Sequence, residues 1–306
     1  MNPKDIKGIA YLTYAGSISY GTNNENSDVD IRGFYKESFE DILVGNSKDI
    51  IEDSSADTVV YSLRRFIALC KNSNPNVLEL LGTKDEHILF INSVGKLFRD
   101  NKHLFYSKRA YRAFGGYATA QLRRLQNALA HDHYDDDEKR IHILKSLQSM
   151  LVMNTEHYSL NDDDLKIYLD GDEIKLDISL KNFPLRKFTA FNSDISNLLK
   201  NYDKLNHRNK KKDDNHLFKH AMHLIRLYLT GIDLLEGRGL HTYRENDLDL
   251  LLSIRNGKVE LKKIFAMAES FEERLKLAYA NSKLPLNPDE VAINNLLLEA
   301  YHNGDD

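Results

Sequence analysis

The chain has 306 residues, enough for one large domain or two smaller ones, and its 42% apolar and 29% charged residues are typical of globular proteins. The formal net charge of −4 argues against a generally basic, nucleic-acid-coating surface, although it is compatible with a local basic groove. The single cysteine, Cys70, excludes an intramolecular disulfide and favours a reducing compartment. The N-terminus lacks an apolar signal-peptide core, and no run of about 18 apolar residues occurs, so we expect a cytoplasmic protein without membrane segments.

The first sixty residues contain short β-type runs separated by Gly, Asn, Ser and Asp. Strands are predicted at residues 8–14, 29–35 and 57–63, where β-forming residues dominate or alternate with polar ones. A helix is predicted at Leu63–Lys71, and Pro75 is suited to begin the next helix. This part of the chain therefore predicts a small α/β unit.

From about residue 87 the apolar residues recur with a helical period. Helices are predicted at Ser93–Asp100, Lys108–His131, Asp136–Asn154, Lys187–Asn201, Asn215–Glu236, 260–282 and 288–302. A β-hairpin is predicted at residues 166–176, around Gly171. The second part is therefore expected to be mostly helical, and a cleft between two such units is a common place for a site.

A spaced set of polar residues follows the first predicted strand. Gly16 permits close backbone approach, and Ser17 adds a hydroxyl where backbone N–H groups of a turn or helix start would gather, which suits a phosphate group. Asp28 and Asp30 follow at the head of the next predicted strand. Strand residues two apart project from the same face, so both carboxylates are expected to point to one place.

Two carboxylates held together repel each other unless a cation lies between them. Magnesium suits such oxygen ligands and keeps substrate phosphates among its other ligands. A third carboxylate is expected from a neighbouring strand, and Asp57 is the best candidate, with Glu52 and Asp53 as alternatives. The combination predicts a nucleoside triphosphate site.

The pattern G-S-x-x-x-G-x-x-x-x-x-S-D-x-D runs without a gap from Gly16 to Asp30 and resembles the signature of the DNA polymerase β-like nucleotidyltransferase superfamily. Tyr61–Leu81 and Lys219–Leu240 are similar to one branch, the predicted nucleotidyltransferases associated with RNA ligases and RNA repair. After Asp30 the sequence Ile31-Arg32-Gly33 replaces the simple apolar strand of the commonest pattern. The resemblance implies an α+β fold, with a small mixed-sheet nucleotidyltransferase domain at residues 1–105 and a mostly α-helical domain at residues 106–306 that carries the hairpin.

The resemblance also implies transfer of an NMP group from an NTP, ATP included, to an acceptor hydroxyl, with release of pyrophosphate. Asp28 and Asp30 would hold two Mg²⁺ ions, or Mn²⁺ in their place, while Asp57 would ligate one ion and help deprotonate the acceptor. The nucleotide-binding residues implied by the motif are Gly16, Ser17 and Ser27. An RNA end is one candidate acceptor. The sequence indicates neither the acceptor, nor the preferred base, nor the oligomeric state.

The helix predicted at Asn215–Glu236 carries a cationic face beside its apolar stripe. Lys219, His223 and Arg226 recur at i, i+4 and i+7, so they share this face. Given the resemblance, we expect them to bind the phosphates of the nucleotide. The alternative is a solvated basic face with a neutral histidine.

Three further groups have simpler explanations. The basic residues and tyrosines of the helix predicted at Lys108–His131 suggest a nucleic-acid groove, but a solvated helix with inward-packing tyrosines is favoured. An acidic loop explains residues 131–137 better than a metal site does. The basic run at residues 207–214 is favoured as an exposed loop.

Two alternative functions stay open. One is a protein-modifying nucleotidyltransferase of the antitoxin type, which would transfer AMP, and the other is a catalytically silent nucleotide- or RNA-binding module. All three motif carboxylates are present, and the loss of one is what would have suggested a silent protein. Magnesium-dependent release of pyrophosphate from each NTP, with and without RNA, distinguishes the alternatives.

Overall fold

The computed structural model describes residues 3–25, 27–53, 55–133, 140–141, 143–145, 147–148, 158, 160, 164–206 and 214–302. It divides into two compact units, one formed by Met1–Arg123 with Asp214–Asp306 and the other by Arg124–Asp213. This division differs from the expected boundary between residues 105 and 106, because the helices after Asp214 pack with the N-terminal segment. The predicted helix at residues 136–154, the cluster at 131–137 and the run at 207–214 lie wholly or largely outside the described side chains.

A five-stranded mixed sheet forms the first unit's centre. Its strands are β1 (Ile9–Tyr14), β2 (Ile31–Tyr35), β3 (Ile50–Asp53), β4 (Thr58–Ser62) and β5 (Ile88–Ile91), in the spatial order β3-β4-β2-β1-β5. β2 and β4 are parallel, and the other neighbouring strands are antiparallel. This mixed sheet, together with the helices, confirms the predicted α+β class. The predictions missed β3 and β5, because four residues are too few for a periodicity to be recognised.

The described helices agree closely with the predicted ones over most of the chain. In chain order they are α1 (Gly16–Tyr20), α2 (Phe39–Leu43), α3 (Leu63–Lys71), α4 (Pro75–Leu78), α5 (Ser93–Asp100), α6 (Arg109–His133), α7 (Leu185–Asn206), α8 (Asp214–Leu235), α9 (Leu248–Arg255), α10 (Leu261–Asn281) and α11 (Glu290–His302). α8 packs against both α9 and α10, and α11 packs against α5. In the part of the chain that the structure describes, no helix combines the length and the apolar character needed to cross a membrane.

One face of the sheet carries an aromatic core that leads towards the polar motif. Phe34 of β2 stacks on Tyr11 of β1 at 5.6 Å between ring centroids and on Phe66 of α3 at 4.2 Å. Side chains two residues apart project from the same face of a strand. Arg32 and Asp30, which precede Phe34 in steps of two, therefore lie on this same face where the buried core ends.

The second unit has a hydrophobic core of its own. β6 (Leu165–Asp170) and β7 (Glu173–Ile178) pair as an antiparallel hairpin, and Gly171 adopts a positive φ in their turn. Ile167 of β6 and Phe191 of α7 are both buried in the core of this unit. The hairpin at residues 166–176 therefore belongs to a compact unit that is separate from the sheet.

Candidate active site

The parallel pairing of β2 and β4 brings two of the predicted carboxylates together. Ile31 pairs with Thr58, and the N–H of Ile31 donates to the carbonyl of Asp57 at 3.2 Å, so residues 30 and 57 lie side by side just before the two strands. Burial of the carboxyl of Asp30, and then the negative charge of Asp57, raise the pKa of Asp30. Asp57 has a φ of 42°, a left-handed conformation that Asp tolerates better than most residues.

Arg32 lies against both carboxylates. Its Nη2 is 3.3 Å from Oδ1 of Asp30 and 3.4 Å from Oδ1 of Asp57, and its Nη1 donates to the carbonyl of Asp57 at 2.7 Å. The charge of Arg32 lowers the pKa of Asp30, although less than burial and Asp57 together raise it. No sequence motif assigned Arg32 to the site. Its only signal was the departure from an apolar strand after Asp30.

Gly16 brings α1 into direct contact with Asp30. The N–H of Ala15 donates to the carbonyl of Asp30 at 2.9 Å, and Gly16 has a φ of 55°. A Cβ atom on Gly16 would lie 2.1 Å from Oδ2 of Asp30, which no side chain could accommodate without a shift of that carboxylate. Ser17 follows on α1 and is buried. The glycine of the motif is therefore required by the approach of α1 to a carboxylate.

The loop before Asp30 holds the other two motif residues, Ser27 and Asp28. The hydroxyl of Ser27 accepts the N–H of Asn24 at 2.8 Å and donates to Oδ1 of Asn24 at 3.0 Å, so it shapes the loop. Asp28 is exposed, and no described residue forms an ion pair or side-chain hydrogen bond with it. Within the described residues no three His, Cys, Asp or Glu side chains converge to hold a metal ion. The structure thus joins Asp30 to Asp57 but leaves Asp28 apart.

A cavity of about 380 Å³ adjoins Asp30 and Arg32. Arg32, Val59 and Glu52 form one row across β2, β4 and β3, and all three line this cavity. Asp53 lies on the opposite face of β3, and its Oδ1 accepts the hydroxyl of Ser55 at 2.6 Å. Of the two alternatives to Asp57, only Glu52 therefore faces the site. The rest of the wall is Ala15, Gly16, Tyr20, Tyr61, Asn76, Tyr117, Gln121, His223, Arg226 and Leu227.

Arg226, on the cationic face of α8, is bound within the protein. It forms a buried ion pair with Glu79, and its guanidinium lies 3.8 Å from the ring centroid of Tyr20. The hydroxyl of Tyr20 donates to the other carboxylate oxygen of Glu79 at 3.0 Å. Arg226 reaches the wall of the cavity, but its charge is already matched by that of Glu79. A primary role in phosphate binding, as the sequence suggested, does not fit this geometry.

His223 and Lys219, the other members of that face, differ from each other. Burial first, and then the nearby positive charges of Arg226 and Lys219, place the pKa of His223 well below its usual value, so its ring is neutral. Its ring meets that of Tyr20 edge-on at 6.0 Å. Lys219 is exposed, and its charge lowers the pKa of Asp30. Of the three predicted phosphate ligands, Lys219 alone is both cationic and accessible.

A larger groove of about 600 Å³ lies elsewhere on the first unit. Its arginines are paired with acids, Arg99 with Asp85 and Arg244 with Asp233 and Asp247. The positive charges of both arginines are therefore matched by carboxylates within the groove.

A family model described as the RNA repair pathway DNA polymerase beta family matches residues 3–159, just over half of the chain. The chain belongs to this family. The RNA repair pathway polymerase β family is the one that the motif resembled, and the match supports a polymerase β-like nucleotidyltransferase at the level of the family. The matched span includes the sheet, Asp30, Arg32 and Asp57, but it ends before α8 and α9.

One curated relative is an uncharacterized 38.9 kDa protein in the nrdC-mobD intergenic region of Enterobacteria phage T4. It is 30% identical to this member of the RNA repair pathway polymerase β family over 122 residues, which are 36% of each protein. The chain therefore spans about a third of the length of that relative. No solved structure matches the chain.

The pairing of Arg226 with Glu79 predicts a large loss of stability when one partner is removed. Arg226→Met should lower the free energy of unfolding by about 3–5 kcal/mol, because it leaves Glu79 buried and unpaired. The double variant Arg226→Met with Glu79→Met should lose markedly less. Urea denaturation of the metal-free protein measures the free energy of unfolding of the wild type, the single variant and the double variant. As a control, Arg274→Met removes an exposed arginine 3.4 Å from Glu236 and should cost less than about 1 kcal/mol. A loss this small for Arg226→Met would contradict the structural role.

The raised pKa of Asp30 predicts an unusual effect of Asp30→Asn on metal-free stability. A carboxyl whose pKa is higher in the folded protein destabilises the fold once the pH exceeds that pKa, and the penalty disappears below its unfolded value of about 4. In EDTA at pH 7, Asp30→Asn should therefore raise the Tm by about 1–3 °C. Near pH 4 the two proteins should melt together.

Asp28→Asn is the matched control for this measurement, since it removes the same charge from an exposed position. Its Tm at pH 7 should stay within about 1 °C of the wild-type value. If Asp30→Asn lowered the Tm at pH 7 instead, Arg32 would have to stabilise the charged carboxyl more than burial and Asp57 destabilise it.

Proposed function

We propose that the protein is a magnesium-dependent nucleotidyltransferase that moves an NMP group from an NTP to an acceptor hydroxyl, with pyrophosphate as the leaving group. The observation that carries this proposal is the contact between the carboxylates of Asp30 and Asp57 at the head of two parallel strands. The protein's membership of the RNA repair pathway polymerase β family supports the same type of reaction.

The residues at this point fit a divalent cation. Burial and the charge of Asp57 raise the pKa of Asp30, so a cation beside the two carboxylates would stabilise their charged forms. Arg32 already supplies one positive charge there. Magnesium in proteins is commonly held by one or two carboxylates, with waters and substrate phosphates as further ligands, so three converging side chains are not required. Asp30 and Asp57 would hold the ion, and Asp28, exposed two residues away, would complete the set. Magnesium would supply charge neutralisation at the transferred phosphate and at the leaving group.

The chain's own residues would divide the remaining work between them. Asp57, whose side chain is 53% exposed, can accept the proton of an acceptor hydroxyl that approaches from solvent. Gly16 allows the start of α1 to approach Asp30 closely, and the nucleotide's phosphates would face that start of α1. Lys219 would contribute an exposed positive charge near Asp30. These groups bind and orient the reactants, which is the principal task in phosphoryl transfer.

The cavity beside the carboxylates has walls suited to a nucleoside. Burial raises the pKa of Tyr61, and Tyr117 lies close enough to add to that shift; both tyrosines line the cavity. Asn76 and Gln121 bring amide groups to the same wall, and Oε1 of Gln121 lies 2.9 Å from Nδ1 of His220. Aromatic faces and amides of this kind stack on and hydrogen-bond to bases. A volume of about 380 Å³ lies within the range of small-molecule sites.

An RNA end is the acceptor that we propose. The description of the family as one of an RNA repair pathway supports this choice. The exposed position of Asp57 leaves its side of the site accessible to a large acceptor.

The transfer reaction predicts a sharp loss of activity when the paired carboxylates are neutralised. Asp30→Asn and Asp57→Asn should each reduce magnesium-dependent pyrophosphate release by several powers of ten, because each removes an anionic ligand, and Asp28→Asn should reduce it as well. The assay uses each NTP in turn, with and without RNA that ends in a free 3′-hydroxyl. Asp53→Asn is the control, since this carboxylate lies on the opposite sheet face. Wild-type rates for Asp30→Asn at saturating magnesium would falsify the proposal.

The choice between Asp57 and Glu52 as the third carboxylate needs a separate comparison. Both residues lie on the site's face of the sheet, but only Asp57 contacts Asp30. A positioned base typically contributes roughly 10²–10⁴-fold to the rate. Asp57→Asn should therefore lower kcat by at least about a hundredfold while changing the Kd for NTP little. Glu52→Gln should lower kcat less than about tenfold. Single-turnover kinetics and calorimetry separate the two quantities. An inactive Glu52→Gln beside an active Asp57→Asn would reverse the assignment.

A further inference from the structure

α9 runs alongside the loop that leads to the motif carboxylates. At its first residue, Leu248 lies against Gly21, where a Cβ atom would be 3.3 Å from Cδ1 of Leu248. At its last residue, Nη2 of Arg255 lies 3.5 Å from the hydroxyl oxygen of Ser27. Eight helical residues span roughly 12 Å, so α9 follows the loop from Gly21 to Ser27. Arg255 therefore contacts Ser27, the residue that immediately precedes Asp28 in the loop.

The guanidinium of Arg255 is unusual because no carboxylate in the described part of the chain forms an ion pair with it. Its Nε and Nη1 atoms are inaccessible to solvent and form no hydrogen bond with any residue that the structure describes. Three other arginines in the described chain also contain a buried nitrogen without a partner, but each forms an ion pair with a carboxylate; they are Arg99, Arg226 and Arg244. Burial lowers the pKa of Arg255, and no charge among the described residues measurably offsets this effect.

The end of α9 does not explain this position. An arginine in the last turn of a helix often bonds to the free carbonyls there. In α9 the carbonyls of Leu252, Ser253 and Ile254 already accept backbone N–H groups from residues 256–258. A half-buried cation that lacks acceptors costs free energy, and such a cost is commonly retained where a ligand supplies the missing acceptor.

A second cation, Lys219, lies in the same neighbourhood as Arg255. Both Arg255 and Lys219 lie close enough to His223 to lower its pKa. Lys219 is exposed, and no described carboxylate forms an ion pair with it. The charge of Arg226, by contrast, is matched by Glu79. Arg255, beside Ser27, and Lys219, near Asp30, are therefore two cations with which no described carboxylate forms an ion pair.

We propose that Arg255, together with Ser27 and Lys219, binds a phosphate group of the reactants. A phosphate beside Nη2 of Arg255, the nitrogen that contacts Ser27, would supply an acceptor oxygen and the negative charge that no described carboxylate gives this guanidinium. The phosphate can come from the polyphosphate of an NTP or from the backbone of an RNA acceptor. This inference rests on the proposed function for the identity of the ligand, but it assigns a residue outside the family-matched span.

Stability and ligand binding together test the assignment. Arg255→Met keeps the apolar stem but removes the guanidinium. In ligand-free protein its Tm should equal or exceed the wild-type value, because an uncompensated buried cation has been removed. Calorimetry with inorganic tripolyphosphate should show affinity about tenfold weaker or more than for wild type, the usual scale for charged hydrogen bonds. Arg274→Met, which removes an arginine paired with Glu236, should bind tripolyphosphate as the wild type does.

A second titration identifies the source of the phosphate. If the affinity for a short RNA with hydroxyl ends falls in Arg255→Met while the affinity for tripolyphosphate does not, the site binds the acceptor's backbone, and the assignment of a phosphate group stands. If Arg255→Met lowers the Tm and leaves both affinities unchanged, Arg255 is structural and the inference is wrong. Arg255→Lys retains charge without the planar fork and should recover only part of the lost affinity.

These measurements are independent of catalysis. Arg255-dependent binding of tripolyphosphate in a protein that releases no pyrophosphate from any NTP would support the phosphate site and contradict the transferase. Normal pyrophosphate release by Arg255→Met, with unchanged affinities and a lowered Tm, would contradict the phosphate site alone.

Discussion

The parallel pairing of β2 and β4 is the constraint on which the site depends. Because Ile31 pairs with Thr58, the two residues that precede these strands are forced side by side, and both are aspartates. Their repulsion would favour separation, but the backbone hydrogen bonds of the sheet fix their positions, and the carbonyl of Asp57 accepts the N–H of Ile31. The sheet thus holds two like charges together, and the guanidinium of Arg32 lies against both of them.

Three arginines of the first unit differ in how closely carboxylates pair with them. Arg226 is matched permanently, by Glu79 in the protein interior. Arg32 is held firmly by the carbonyl of Asp57 at 2.7 Å but only loosely by the two carboxylates, at 3.3 and 3.4 Å, so it compensates them without closing the site to another cation. Arg255 has no carboxylate among its described neighbours. The pairing of arginine charges with carboxylates therefore becomes weaker from the core towards the motif loop. Under the proposed function, the negatively charged reactants would bind at the motif loop, where the pairing is weakest.

The sequence predicted the elements of the site better than their contacts. The alternation of residues 29–35 and 57–63 located β2 and β4, because a period of two is unambiguous in a half-buried strand. Their mutual orientation was beyond reach, since parallel pairing depends on chain reversal through β3, which is too short to show a pattern. The helical period placed Lys219, His223 and Arg226 on one face correctly. It could not reveal that Glu79 neutralises Arg226, because that partner is 147 positions away.

The distribution of these charges also bears on how the active site is divided along the chain. The family-matched span, residues 3–159, carries the sheet and every acidic residue of the site. The basic residues that face it from α8 and α9, Lys219 and Arg255, lie beyond that span but within the same compact unit. Under the proposed function, an acidic half that holds the metal ion would be tied to a fixed reaction, since the ligand chemistry of phosphoryl transfer tolerates little change. A cationic half contributed by later helices can vary with the shape and charge of the acceptor. Residues that decide the acceptor should therefore be sought on α8 and α9 rather than in the motif itself.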